Sequence, residues 1–181
     1  DTGVLLLDAE AIFEHGQTAA RSGLSLAIHA IGDLANHEVL NAYEQLRRFE
    51  RSESLPALRH RIEHVQVLHP SDLPRLAAMN IIASMQPLHA TSDMFTADRY
   101  WGDRSALAYA FRSLLEGGTR LAFGSDAPVE SPNPFLGLHA AVLHYAVGYH
   151  VWPRPLHDAR AALRALRSGD VPLPVDRRRV G

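Results

Sequence analysis

Apolar side chains recur at two different periods along this 181-residue chain. Between 8 and 22 they fall at helical spacing, with Ile12, Phe13, Ala19 and Ala20 on one face and Asp8 placed to cap the first turn. Gly23 stops that helix, and Leu24–His29 follows as a compact apolar run ending in a polar residue, a strand candidate. Residues 35–50 return to helical spacing through Val39, Tyr43 and Leu46. The alternation then repeats. Leu58–His64 reads as a strand, followed by a short helix opened by Ser71. Ile81–Met85 is the next strand, followed by a long loop and one helix over about 104–116. That helix carries Leu107, Phe111, Leu114 and Leu115 and ends at Gly117-Gly118. Arg120–Phe123 is the last strand, and Pro134 stands where a first-turn proline suits a helix reaching about 147.

Strands alternating with helices predict βα units on a parallel sheet, an α/β fold. Four such units are too few to close an eight-stranded barrel, which takes about 250 residues. Periodicity alone fits a partial barrel and a small open sheet equally. The pattern changes near Arg154. Residues 154–181 hold seven arginines and little apolar order, so the chain divides into a structured part over 1–153 and an Arg-rich tail over 154–181. Within the tail 158–168 has helical spacing and 169–181 reads as disordered.

Composition is that of an ordinary globular protein, 46% hydrophobic and 21% charged. A net charge of -2 gives no electrostatic reason to expect nucleic acid or an anionic membrane as partner. The tail's basic run is better read as a solvated segment than as a nucleic-acid contact. No apolar run approaches the roughly 20 residues that span a bilayer, and no signal peptide is recognisable, which leaves a cytoplasmic location as the default. With no cysteine, thiolate metal sites are excluded. All 18 basic residues are arginine, so no lysine-dependent chemistry can draw on this chain.

Chemistry-bearing residues fall where strands end. His29 closes "LSLAIH", His64 closes "LRHRIEH", and Asp126 stands just past "LAFGS". In parallel α/β folds the C-terminal strand ends face the active site, so these three side chains are expected to converge. Neutral imidazoles suit zinc and similar divalent ions. A bound metal brings the pKa of its water to about 7, and an adjacent carboxylate can accept the proton and return it to a leaving amine. Each residue also has a bland reading. His29 could be a core histidine, Asp126 a turn residue, and His64 competes with His60 and His69; strand alternation puts 60, 62 and 64 on one face.

Together "AIHAIGD", "RIEHVQ", "SMQPLH" and "GSDAPVESPNPF" resemble successive motifs of the amidohydrolase superfamily, in particular amidohydrolase family 3, the YtcJ-type, N-substituted formamide deformylase-like group. The resemblance covers roughly 3–150. It implies a partial TIM (β/α)8 barrel comprising about strands five to eight with their helices. It further implies that His29, His64 and Asp126 bind a divalent metal, zinc by preference, and that Asp126 moves the proton. Gln86, Pro87 and His89 match the seventh-strand motif, which implies pocket lining rather than metal binding. The family's first-strand His-x-His pair and fourth-strand lysine or glutamate have no counterpart here, and the tail is expected to be a truncated or frameshifted end.

The segment 88–105, with Phe95, Tyr100 and Trp101, would lie at the active-site face, either closing over substrate, with Trp101 as a contact, or packing down as a satellite core. The expected function is metal-dependent hydrolysis of a carbon–nitrogen bond, amide or formamide, in a small molecule. Two rivals stand beside it: an inactive fragment or half-barrel lacking the other ligands, and ester, lactone or phosphoester hydrolysis on the same scaffold. An open sheet edge also allows homo-oligomers.

Overall fold

A computed structural model describes residues 4–143, 145–146 and 149–150. Four strands, β1 (Ala27–Ala30), β2 (Arg61–His64), β3 (Ile82–Met85) and β4 (Arg120–Phe123), lie side by side in chain order, each parallel to the next. The expected α/β class and parallel sheet are therefore present, as four consecutive βα units. A short antiparallel pair, β5 (Tyr145–Ala146) and β6 (Tyr149–His150), follows. The tail beyond 150, with its expected helix and disordered end, lies outside the described residues. No described helix is long and apolar enough to cross a membrane.

The helices are α1 (Ala9–Arg21), α2 (Asp33–Ser52), α3 (Leu73–Ala78), α4 (His89–Ser92), α5 (Met94–Trp101), α6 (Phe111–Glu116) and α7 (Pro134–Leu143). Asp8 caps α1 as expected, its carboxylate accepting from the Ala11 N–H at 2.9 Å. Gly16 lets α1 sit close on α2, since a Cβ there would meet Leu46 at 3.0 Å. Asp72 rather than Ser71 precedes α3, with a proline in its first turn.

The region after β3 departs most from the sequence reading. The expected loop is largely helical, as α4 and α5, and the expected helix over 104–116 is two pieces: a 3-10 turn over Gly102–Leu107 and then α6. Tyr109 separates them with φ 50. Its N–H donates to the Gln66 carbonyl at 2.8 Å, and Ala108 bridges Val67. A tertiary backbone bond thus replaces the continuation of the helix, which periodicity cannot reveal.

Strand register separates two faces. Ile62, Ala83, Met85 and Phe123 are buried on the helix side, beside Ala30. The other face carries Ala27, His29, Arg61, Glu63, Ser84 and Ala122, which are exposed or half-buried.

At the N-terminal end of the sheet lies a buried polar knot. Glu50 accepts from Arg47 Nη1 at 2.7 Å and faces His60 Nε2 at 2.9 Å; Arg47 also donates to the carbonyls of Met79 (3.0 Å) and Asn80 (3.4 Å). His60 Nδ1 accepts from the Leu26 N–H at 2.9 Å, which places its proton on Nε2, toward Glu50. Tyr43 stacks on the imidazole and donates to the Arg61 carbonyl at 2.7 Å. One knot therefore joins α2, the entries to β1 and β2, and the turn before β3.

Burial holds His60 below the ordinary histidine range, the Glu50 hydrogen bond opposing it. The folded state therefore resists the proton that the unfolded chain takes up near pH 6.5. Stability is expected to fall as pH drops below about 6.5 toward the lower folded value. Urea midpoints measured between pH 8 and 5 check this. The decline should be shallower in His60→Gln, and equal slopes would remove His60 as the cause.

Candidate metal centre

At the opposite end of the sheet, three elements deliver three donors. His64 ends β2, His89 opens α4 after β3, and Asp126 lies in the turn after β4. One donor atom from each lies within 4.8 Å of the others. Nε2 of His89 stands 3.3 Å from Asp126 Oδ2, and the His64 and His89 rings are stacked 5.8 Å apart. His29, on the open face of β1, places its ring edge-on to His64 at 4.4 Å. His64 and His89 are buried, whereas the Asp126 side chain is 38% exposed and can meet solvent.

Strict alternation along β2 would put His64 on the side of Ile62, away from His29. Left-handed backbone at His64 (φ 76) and Val65 (φ 49) ends that alternation. Such conformations are unfavourable, particularly for a β-branched valine, and cost about 1–3 kcal/mol each. Bonds from the Val65 N–H to Ala30 O (3.1 Å) and the Val67 N–H to Ile31 O (2.9 Å) hold the turn in place. Asp126 is also left-handed (φ 58), in a turn closed by the Val129 N–H on its carbonyl at 2.8 Å.

The electrostatics suit a cation. Burial, then the neighbouring His29, hold His64 below the usual histidine pKa, which leaves it neutral with a lone pair to offer. Its Nδ1 is buried with no hydrogen-bond partner among the described residues. The facing lone pairs of His89 and Asp126 need a proton or a cation between them. Two imidazoles and a carboxylate are a donor set that zinc accepts, so the residues present fit a divalent metal.

Of the other residues singled out, Gln86 is buried just past β3, its Nε2 on the Ser84 carbonyl at 3.4 Å and its Oε1 without a partner among the described residues. His89, expected to line the pocket, stands in the gathered donors themselves. Trp101 closes α5 and packs against the main core. His60 belongs to the knot at the far end of the sheet. Sequence reasoning passed over Glu130, whose Oε1 lies 3.8 Å from His89 Nδ1 on the side away from Asp126. Its signal was a carboxylate in the same strand-end turn, in "SDAPVE".

The family model described as "Amidohydrolase family" matches residues 2–170. The chain belongs to the amidohydrolase family. The match takes in the motif region and part of the Arg-rich segment. Among curated relatives, the chain is 37% identical to Protein LONG AFTER FAR-RED 3 of Arabidopsis thaliana over 83% of its length, and 37% identical to the putative amidohydrolase YtcJ of Bacillus subtilis over 78%. It is 28% identical to the N-substituted formamide deformylase of Arthrobacter pascens over 64%. The chain spans 26%, 26% and 21% of those proteins' lengths, respectively. A solved structure of an uncharacterized metal-dependent hydrolase from Pyrococcus furiosus superposes with a TM-score of 0.70 at 27% identity, over 91% of this chain and 35% of that one.

Proposed function

We propose that this amidohydrolase chain supplies part of the metal centre of a hydrolase that cleaves a carbon–nitrogen bond, amide or formamide, in a small molecule. The observation that carries this is the gathering of His64, His89 and Asp126 at the C-terminal ends of parallel strands. In this reading β1–β4 are the fifth to eighth strands of a (β/α)8 barrel, and the polar open face of the sheet lines its interior. His64 and Asp126 are common to the motif-based ligand set, completed by His29, and to the gathered set, completed by His89. Zinc suits both.

A divalent ion held there supplies Lewis acidity toward water and carbonyl. The chain's own residues do the rest. Buried His64 and His89 present imidazole nitrogen donors, and Glu130 flanks the far side of the His89 ring. The half-exposed Asp126 carboxylate accepts the proton of the attacking water and delivers it to the departing amine, which would otherwise leave as an unstable anion.

In the full-length protein, His64→Leu is expected to weaken Zn2+ binding by more than the roughly 10–100-fold that loss of an outer-shell partner costs. Titration with zinc measures it, and His29→Asn and His89→Asn in parallel show which ring completes the set. Unchanged affinity in His64→Leu would end the proposal. A panel of N-formyl, N-acyl and ester substrates tests the bond: turnover of esters alone would replace the carbon–nitrogen assignment.

A further inference from the structure

Two residues beyond His64, the side chain of Gln66 enters a buried polar group unconnected with any strand ladder. Gln66 Nε2 donates to the Tyr109 hydroxyl at 2.5 Å, and that hydroxyl donates to Asp93 Oδ2 at 3.2 Å. Gln66 Nε2 also lies 3.5 Å from the same carboxylate oxygen. Gln66 and Tyr109 are 4% and 2% exposed. Burial beside Asp93 holds the Tyr109 phenol far above its ordinary range, so it remains a donor.

Both ends of this group lead to the candidate metal centre. Asp93 stands one helical turn past His89, its N–H on the His89 carbonyl at 2.9 Å, and the His89 N–H in turn donates to Gln86 O at 3.1 Å. Gln66 continues the left-handed turn at His64 and Val65, and its carbonyl accepts the Tyr109 N–H. Tyr109 itself has φ 50, a conformation retained against its intrinsic cost only where surrounding contacts over-determine it. The His64 turn and the His89 helix come from different βα units and share no strand ladder at this level. The hydroxyl of Tyr109 is a side-chain link between them.

We propose that Tyr109 is a positioning residue: with Gln66 and Asp93 it clamps the strained β2 exit to α4 and so sets the spacing of His64 and His89. The inference deepens the metal-hydrolase reading and rests on it for its functional meaning. The clamp itself can be judged without metal, from the proximity of the two rings.

The test is Tyr109→Phe in the full-length protein, which removes one oxygen and keeps the ring. Nuclear Overhauser contacts between the labelled His64 and His89 imidazoles should weaken or vanish. Zn2+ dissociation constants should rise about 10-fold, the lower end of outer-shell effects. A hydroxyl that served only global stability would lower the melting temperature and leave ring contacts and zinc affinity of the folded protein unchanged, which would overturn the proposal. If the wild-type protein binds no zinc, the hydrolase reading fails, and the ring contacts alone decide the clamp. Should Tyr109→Phe not fold, Gln66→Met removes the donor to the hydroxyl at similar length. It is expected to move both readouts the same way, and unchanged values there would also overturn the clamp.

Discussion

Asp126→Asn in the full-length protein is expected to lower kcat by about 10²–10⁴-fold, the usual contribution of a positioned general acid–base group. The amide keeps an oxygen where the carboxylate was, so zinc content should fall far less than turnover. That asymmetry is the diagnostic part, because the same residue is both a candidate ligand and the proposed proton carrier. Its side chain is partly open to solvent, while the His64 and His89 imidazoles are buried. Of the gathered donors it is therefore the one able to exchange a proton with water at each turnover. Steady-state rates beside metal analysis measure both quantities. Full kcat with metal bound would take Asp126 out of the chemistry.

Glu50→Ala should have the largest effect on folding. Arg47 and Glu50 side chains are 7% and 2% exposed, and His60 is fully enclosed. Removing the carboxylate leaves a guanidinium buried without its counter-ion and orphans the His60 Nε2–H. Breaking a buried pair in this way costs about 3–5 kcal/mol, a large part of the 5–15 kcal/mol that stabilises a typical protein. Chemical denaturation of Glu50→Ala against wild type measures the loss. A change below about 1 kcal/mol would mean that Arg47 satisfies itself on the Met79 and Asn80 carbonyls alone.

Order and type of the βα units were legible because each depends on a local pattern. Alternating apolar runs and amphipathic stretches found all four strands of the main sheet, and Asp8 announced its cap. Strand ends were drawn too long on the N-terminal side, since Leu24 is apolar but 62% exposed, with no core to join. The strand-end rule likewise picked out His29, His64 and Asp126. It could not foresee that His89, four residues past β3, would stand beside them, because that depends on α4 starting straight after the short turn over 86–88. His60 and His64 looked equivalent on alternation. They lie at opposite ends of β2, and the left-handed backbone that redirects His64 is held by bonds to a neighbouring strand. Tyr109 was hidden for the same reason: its role comes from partners 43 and 16 positions away.

The two faces of the sheet answer to different constraints. On the helix side, Ile62, Ala83 and Met85 are fully enclosed, and any change of volume there is felt by the whole fold. On the other side Ala27, Ser84 and Ala122 are small and loosely surrounded. A lineage could exchange those three for bulkier or charged side chains with little loss of foldedness, which in the proposed barrel would reshape its interior. Under the proposed function, substrate preference in such a lineage would drift while the architecture stays constant.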